Sequence, residues 1–414
     1  MIPHLVTHLP GPARMIRSLR HRNFRLYFFG QVLSLNGTWM QSVAQSWLVY
    51  RLTGSGTWLG AVMFANLIPV LLLSLVGGVV ADRFDRRRLM LLLHFLAMLQ
   101  AVTLATATLQ GWVTPPLLLL LALWLGLVHA FEVPARHALM ASLVPRADLP
   151  NAIALNSSAF NIARTVGPAL AGALVAWVGE GWVFALNAAT FLGVLAGLAW
   201  MRVDARPSGE QRGSAWQNLK EGLGYVRSHP TIRAVILLVA LLSMVAAVLT
   251  VLMPLVVDRR FGGQSLELGL FLGAVGLGAL LGAINLARKR GGRTLLPSIA
   301  RAALLAGAGL LLFPLVSWQW LALPILVVIG FGQTTVAAST NTYIQMEVPD
   351  LLRGRVMSIF STLFIGLMPL GSLLGGAVGD WLGPVPTVVA AGMAMLAGGL
   401  LFLARCRPCA AGGR

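Results

Sequence analysis

Acidic residues are scarce in this 414-residue sequence. It has 13 Asp and Glu residues against 31 Lys and Arg residues, which gives a formal net charge of +18, and only 11% of the chain is charged. Soluble globular chains are about 25% charged. The 57% hydrophobic content therefore excludes a soluble globular protein. In a soluble chain this excess charge would suggest nucleic-acid binding, but the arginines stand at the ends of apolar runs, where they orient membrane spans and meet anionic lipid.

Cysteine is nearly absent, and its placement limits the chemistry of the chain. Cys406 and Cys409 lie close to the C-terminus, and two thiolates cannot complete a tetrahedral zinc site. The sequence also lacks the Gly-x-x-x-x-Gly-Lys-Ser/Thr pattern that cradles nucleotide phosphates. We find no nucleophile–base pair and no carboxylate dyad within an apolar run. We therefore expect no metal, no cofactor and no enzymatic activity, and a role for the two cysteines stays open.

Long apolar runs dominate what is present. A spanning helix needs about 20 predominantly apolar residues, so the chain can hold about twelve spans. The first run is too long for a cleaved signal peptide and is predicted to remain as the first span. Runs bounded by charge, proline or glycine predict spans at about residues 26–49, 57–80, 89–110, 115–132, 152–176, 181–201, 234–256, 266–287, 295–316, 320–342, 356–381 and 384–404.

Positive charge alternates along these spans. The N-terminal segment, the C-terminal tail and the segments 81–88, 133–151, 202–233, 288–294 and 343–355 hold nearly all of it, whereas the intervening loops hold only Arg51, Arg259 and Arg260. Cytoplasmic loops of membrane proteins carry the excess of Lys and Arg. The pattern predicts a multi-pass membrane protein with both termini in the cytoplasm.

An internal repeat divides the chain in two. A shift of 204 positions aligns Val144-Pro145 with Val348-Pro349, and Gly172-Ala173 with Gly376-Ala377. An offset near half the length indicates a duplicated six-span unit. We predict an N-terminal bundle at 1–201, a cytoplasmic linker with an amphipathic helix at 202–233 and a C-terminal bundle at 234–414. The linker pattern, which includes Trp216, Leu219 and Leu223, suits a structural tether or a regulatory element.

A short polar loop lies between the second and third predicted spans. Its pattern, Gly-x-x-x-Asp-Arg-x-x-Arg-Arg from Gly78 to Arg87, resembles the signature loop of the major facilitator superfamily. The resemblance implies an all-α membrane protein of twelve transmembrane helices in two pseudo-symmetric six-helix bundles. It also implies a conformational latch formed by Gly78, Asp82, Arg83, Arg86 and Arg87.

The fifth predicted span contains a second motif and a costly cation. Arg164, Gly167, Pro168 and Gly172 belong to a stretch that resembles the antiporter signature of drug-efflux members, and a plain packing kink is the alternative. A charge within a span needs a partner or a cavity. We expect Glu132 to pair with Arg164, as a structural clamp or in coupling. His129, one turn before Glu132, can titrate near neutral pH.

Polar side chains within otherwise apolar spans predict the substrate pathway. Such a pocket, mainly apolar with few fixed charges, suits a bulky amphipathic ligand. The candidates are Gln31, Asn36, Trp39, Gln41, Gln45, Asn161, Gln333, Asn341 and Gln345.

Other stretches narrow the resemblance. Val133-Pro134-Ala135-Arg136 and Arg353-Gly354-Arg355-Val356-Met357 resemble the branch that includes the enterobactin exporter and macrolide efflux proteins. The resemblance implies a transporter of the bacterial cytoplasmic (inner) membrane. It also implies export of a small amphipathic compound (a drug, a macrolide or a siderophore) by alternating access and proton antiport. The expected partners are this small molecule, protons and membrane lipids, without nucleic acid, in a monomer. A lysolipid or lipid flippase, an importer of the same fold and a non-transporting receptor are the alternatives.

Overall fold

The computed structural model describes residues 16–201, 215–288 and 295–411, and side chains within these ranges except at 215–219 and 406–411. Trp216, Leu219, Cys406 and Cys409 therefore fall outside the described side chains. After a 3₁₀ turn at Arg17–Arg20, the helices are α1 Arg22–Thr53, α2 Gly56–Arg83, α3 Arg86–Leu109, α4 Pro115–Leu143, α5 Leu149–Val178, α6 Glu180–Trp200, α7 Ala215–Ser228, α8 Pro230–Phe261, α9 Ser265–Ala287, α10 Leu295–Leu312, α11 Gln319–Glu347, α12 Asp350–Leu382 and α13 Pro384–Ala411.

Eleven helices in the described ranges are long and apolar enough to cross a membrane: α2 to α6 and α8 to α13. The 32-residue α1 is also long enough, although glutamines such as Gln31 and Gln41 lower its hydropathy. It packs lengthwise against α5 and α6 as the remaining member of the first bundle. The predicted architecture of twelve transmembrane helices in two six-helix bundles is confirmed. The helices extend several residues beyond most predicted span ends.

The 204-residue repeat is visible in the helix boundaries. Helices α4 and α11 begin at Pro115 and Gln319, while α6 and α13 begin at Glu180 and Pro384. The junctions before α6 and α13 are Gly179 and Gly383, with φ of 82° and 92°. Only glycine adopts such angles without strain, so both copies turn between their fifth and sixth helices in the same way.

The bundles meet along two helix pairs, α2 with α12 and α5 with α9. The two pairs are related by the repeat, since α9 is the second copy of α2 and α12 is the second copy of α5. We call the end of the molecule with the junctions 84–85, 144–148 and 348–349 the basic end. The end with the junctions 54–55, 179, 262–264 and 383 is the far end.

Each bundle braces its fifth helix at the basic end with the segment that precedes its first helix. In the first bundle, Ser18 Oγ donates to Asp148 O at 3.0 Å, and Asn151 Oδ1 accepts from Ser18 N at 2.9 Å. In the second, α7 packs on the first turns of α12, where Glu221 forms an ion pair with Arg355. The braces fix where α5 and α12 begin.

Candidate functional site

A carboxylate closes the far end between α2 and α12. Asp380, two residues before the end of α12, accepts hydrogen bonds from Gly56 N at 2.6 Å and Thr57 N at 2.9 Å. It also accepts one from Ser55 Oγ at 2.6 Å. These donors form the first turn of α2, whose partial positive charge favours an anion. Asp380 therefore caps a helix of the other bundle.

Close backbone packing extends this closure. A Cβ on Gly60 would lie 2.5 Å from Ser372 O, and Gly56 packs directly against Gly376. In lipid the hydrophobic effect does not drive helices together, so their association relies on van der Waals packing. Small residues such as glycine allow the two backbones to approach closely enough for this packing. Nearby, Arg259 Nη2 donates to Gly54 O at 2.7 Å, and Tyr50 hydrogen-bonds Asp258.

In the second pair, α5 and α9 pack closely against each other from the far end to the middle of α5. A Cβ on Gly172 would lie 2.8 Å from Gly269 Cα, and one on Gly276 would lie 2.7 Å from Arg164 O. Gly167 instead packs on Trp39 of its own bundle, and Trp39 stacks edge-on with Phe160 at 5.8 Å. The motif of the fifth helix thus serves one contact within the first bundle and one between the bundles.

The basic end differs. A Cβ on Gly78 of α2, or on Gly354 of α12, would meet nothing within 4 Å. Gly78 makes no close approach to another helix along its Cβ direction, and its neighbour Gly77 packs against Ala130 and Phe131 of α4. Asp82 has no hydrogen bond or ion pair with any residue that the structure describes. The bundles are joined at the far end and apart at these two glycines.

The other residues of the signature loop are held within the first bundle. Arg87 donates to Leu198 O and Ala199 O at 2.6 Å each, which satisfies carbonyls at the end of α6. Asp85 caps α3 by accepting from Arg88 N at 2.8 Å. Arg83, the last residue of α2, is exposed.

A polar cavity of about 60 Å³ lies inside the first bundle. Its lining includes Gln31 and Thr38 from α1, His94 from α3, and Glu132 and Arg136 from α4. The expected Glu132–Arg164 pair is wrong, since Glu132 Oε1 lies 3.6 Å from Arg136 Nε, one turn along the same helix. Side chains four residues apart on a helix are neighbours, so the i, i+4 spacing in the sequence could have revealed this pair.

Several buried polar atoms around this cavity lack a hydrogen-bond partner in the described chain. They are Gln31 Oε1, Tyr27 Oη and Arg136 Nε. His129 also lines the cavity. Sequence reasoning missed Tyr27 and His94, although a histidine and a tyrosine inside apolar runs are visible signals. The cluster has one carboxylate, one guanidinium and two imidazoles in an apolar setting, which suits the storage of a proton.

Two predicted pathway residues lie instead in buried packing. Gln41 is 2% exposed; its Nε2 donates to Gln100 Oε1 at 3.0 Å, and its Oε1 accepts from Asn187 Nδ2 at 2.7 Å. This network joins α1, α3 and α6. Gln45 is 8% exposed and also buried.

The other pathway candidates vary in exposure. Gln333 is 7% exposed, and its Nε2 has no partner among described atoms. Gln345 is exposed and hydrogen-bonds Asn341. Asn36 and Asn161 are half-buried and donate to carbonyls of their own helices, Val32 O and Ser157 O, at 2.8 Å each.

These features match a known family over nearly the whole chain. The family model described as "transmembrane secretion effector" matches residues 14–410. The chain belongs to this family of the major facilitator superfamily. It is a multi-pass membrane transporter of a small molecule and not an enzyme.

Relatives of similar length support the same branch. The staphyloferrin A transporter of Staphylococcus aureus is 26% identical over 91% of this chain and 95% of its own. The enterobactin exporter EntS of Shigella boydii is 27% identical over 92% and 91%. The multidrug efflux pump Tap of Mycolicibacterium fortuitum is 26% identical over 92% and 96%.

Solved structures agree on the fold. A bacterial homologue of the iron transporter ferroportin in an inward-facing state is 17% identical, with a TM-score of 0.70 over 93% of this chain and 99% of its own. At this identity the likeness shows the fold alone.

Proposed function

We propose that this transporter exports a small amphipathic compound by alternating access, coupled to protons that move in the opposite direction. The observation that carries the proposal is the asymmetry between the ends of the α2–α12 pair. The pair is packed and hydrogen-bonded at Gly56 and Asp380, whereas a Cβ added at Gly78 or Gly354 would meet open space. A rocking of the bundles would exchange the closed and open ends.

The register of α2 against α12 supports a matching latch at the basic end. The helices run antiparallel, with Gly56 against Gly376 and Gly60 against Ser372. Continuing this register towards the basic end brings Gly78 opposite Gly354. Both glycines are open here, and a Cβ-free pair would allow the backbones to approach.

Two aspartates occupy matching positions relative to these glycines. Asp380 lies four residues after Gly376 and caps the start of α2, while Asp82 lies four residues after Gly78. With the basic end closed, Asp82 would reach the start of α12 and cap it in turn. We therefore propose Gly78 and Asp82 as the latch of the opposite state. Arg83 would lie at the same interface, while Arg86 and Arg87 hold the loop on the first bundle.

We place proton binding at Glu132. The carboxylate is 8% exposed, and its ion pair lies within one helix, so protonation would break no bond between helices. A buried charge that does not join elements is costly to keep, which favours a functional role. His94 and His129 line the same cavity and could relay the proton.

Orientation follows from charge. We propose that the basic end faces the cytoplasm of a bacterium, with both termini inside, because Lys and Arg gather there. The moving bodies would be residues 1–201 and 234–414, tied by the linker at 202–233. The proposed working unit is a monomer. On this orientation the structure is open to the cytoplasm, ready to load an export substrate.

The substrate class rests on the relatives and on composition. Two of the relatives are named for siderophores and one for multidrug efflux. We propose a compound of siderophore or drug type that enters between the bundles, where Trp39, Asn161 and Asn341 are partly exposed.

Proton movement in proteoliposomes tests this proposal. Purified protein would face an imposed pH gradient while enterobactin, staphyloferrin A and macrolides are added singly, with Asp82→Asn as the impaired variant. We expect proton flux that requires both a substrate and Asp82. Movement of lysophospholipid without a gradient, and no flux with any compound, would favour a flippase. Specific binding without flux would favour a receptor, and substrate entry with protons an importer.

A further inference from the structure

Arg164 lies in the middle of α5. It is preceded by fifteen residues of α5 and followed by fourteen, so it lies about 22 Å from either end of the helix. Gly276 is the glycine of α9 nearest the basic end that packs against α5, where it meets Arg164 O. Towards the basic end, Gly278 and Gly282 of α9 pack against α11 of their own bundle instead.

The faces of α5 show where Arg164 points. Ala163, Gly167 and Phe160 pack towards α1, whereas Thr165 and Gly172 meet α9. At 100° per residue, Arg164 falls between these two faces. The opposite side is exposed and apolar, with Ile162, Val166 and Leu170 at 52%, 42% and 47% exposure. It is the face that lipid covers.

Arg164 therefore belongs to an inner stripe that faces the space between the bundles. Ser157 and Asn161 precede it on the same stripe, at spacings of seven and three residues. Ser157 is exposed, while Asn161 and Arg164 are half-buried. The stripe thus offers hydroxyl, amide and guanidinium groups to the open cavity.

No described carboxylate is positioned to neutralise this cation. Of the 13 acidic residues, Asp204 and Glu210 lie outside the described ranges. Nine of the remaining eleven have hydrogen bonds or ion pairs with other groups: Asp85, Glu132, Asp148, Glu180, Glu221, Asp258, Glu267, Asp350 and Asp380. Asp82 and Glu347 stand at the basic ends of α2 and α11. Within the described chain, Arg164 has no ion-pair partner.

We infer that Arg164 binds an acidic group of the transported compound, so that the substrate is an anionic amphiphile. This inference rests on the proposed function and narrows its substrate class. A guanidinium binds carboxylate and phosphate through paired hydrogen bonds, which fixes orientation as well as charge. Because a charge at mid-membrane is costly, a bound anion would offset that cost in the loaded state.

Binding in detergent tests the inference without any gradient. Fluorescence anisotropy would compare fluorescein, an anionic amphiphilic dye, with rhodamine 6G, a cationic dye of the same ring system. Arg164→Gln, Arg164→Lys and a control, Arg301→Gln, would be measured beside the wild type. Arg301 is an exposed arginine on α10, which packs mainly on α11 and α13 of its own bundle.

We expect the wild type to prefer fluorescein, and Arg164→Gln to weaken that binding at least about tenfold, or about 1.4 kcal/mol. Arg164→Lys should keep part of it, and Arg301→Gln all of it. The thermal stability of Arg164→Gln should stay equal or rise, since an unpaired charge is removed. A wild type without preference for the anion, an unaltered Arg164→Gln or an equal loss in Arg301→Gln would overturn the inference.

Competition distinguishes a soluble anion from a lipid headgroup. Displacement of fluorescein by lysophosphatidylglycerol but not by lysophosphatidylcholine would support the acidic-group site and assign it to a lipid phosphate. Displacement of fluorescein by enterobactin, but by neither lysophospholipid, would support the acidic-group site and assign it to a soluble compound. Absence of proton-coupled transport alongside intact, Arg164-dependent binding would reject the antiport mechanism and leave the anion site standing.

Discussion

The two bundles share a fold but differ in the chemistry of their interiors. In the first, Glu132, Arg136, His94 and His129 line one cavity. At the positions 204 residues later the second bundle has Val336, Thr340, Ser298 and Gln333, none of which titrates near neutral pH. The duplication therefore kept the arrangement of helices in both copies, whereas the charged and titratable side chains at these four positions occur only in the first copy. On the proposed mechanism, the first bundle would bind the proton and the second bundle would respond through the shared interface.

The largest effect should come from removing the only carboxylate of this cavity. Glu132→Gln is close in shape and should fold, but it cannot exchange a proton. We expect nearly complete loss of uphill, gradient-driven transport, with downhill exchange retained, in proteoliposomes that contain a substrate.

The matched control is Glu180→Gln, which alters another buried carboxylate, paired with Arg51 at 3.0 Å at the far end. It should keep coupled transport. Equal loss in both variants, or uphill transport by Glu132→Gln, would remove Glu132 from the coupling mechanism.

The next test places a charge in the second bundle. Val336 is fully buried, so Val336→Glu should cost about 2.5–3.5 kcal/mol and lower the melting temperature of the purified protein. The double variant Val336→Glu/Thr340→Arg recreates the i, i+4 pair of the first bundle and should recover part of that loss. If Val336→Glu is as stable as the wild type, the second interior is more hydrated than its lining suggests.

Smaller effects, opposite in sign, are expected from removing the carboxylate at either end of the α2–α12 pair. Asp380→Asn weakens the far-end cap, whereas Asp82→Asn weakens the proposed cap of the other state. Because hydrogen bonds to a charged group contribute about 1.5–3 kcal/mol, each variant should shift the population about tenfold or more, in opposite directions.

Spin-label distances across the far end would report this shift. We expect longer distances in Asp380→Asn and shorter or unchanged ones in Asp82→Asn. Shifts in the same direction for both variants would contradict a reciprocal latch.

The smallest effect concerns the brace of α5. His21 Nε2 hydrogen-bonds Asp148 Oδ2 at 2.7 Å, and this bond, with Arg17 nearby, lowers the pKa of Asp148. A lowered folded-state pKa stabilises the fold above the unfolded value of about 3.9, and the contribution is lost as pH falls through the folded value.

Asp148→Asn should therefore lower the melting temperature slightly at pH 7, and the difference from the wild type should shrink below about pH 4. The effect should be small because exposed ion pairs contribute about 0–1 kcal/mol. A difference that grows in acid would show that the brace works by another means.

Much of this molecule follows from local sequence. Apolar runs of sufficient length can satisfy their backbone groups in lipid only as helices, so the spans could be read directly. The repeat predicted paired boundaries, and Gly179 and Gly383 meet that prediction because both junctions need the same unusual φ. The loop from Gly78 to Arg87 indicated the superfamily, which the family match confirms.

The sequence could not determine which polar side chains share a site. Glu132 pairs with Arg136, which lies one turn further along the same helix. Arg164 lies on α5 and faces the space between the bundles instead. Gln41 belongs to a buried network because α1, α3 and α6 converge on it. Asp380 caps a helix of the other bundle, and its partner Gly56 lies 324 positions away in the sequence.

Such partners lie hundreds of residues apart or on separate helix faces. Composition and periodicity fix the membrane, the helices and the duplication, since these depend on transfer free energy and backbone hydrogen bonding along one segment. The rotation of each helix about its axis, and the end at which the bundles touch, depend on packing between segments. Tertiary structure alone decided these, and with them the cavity, the two interfaces and the place of Arg164.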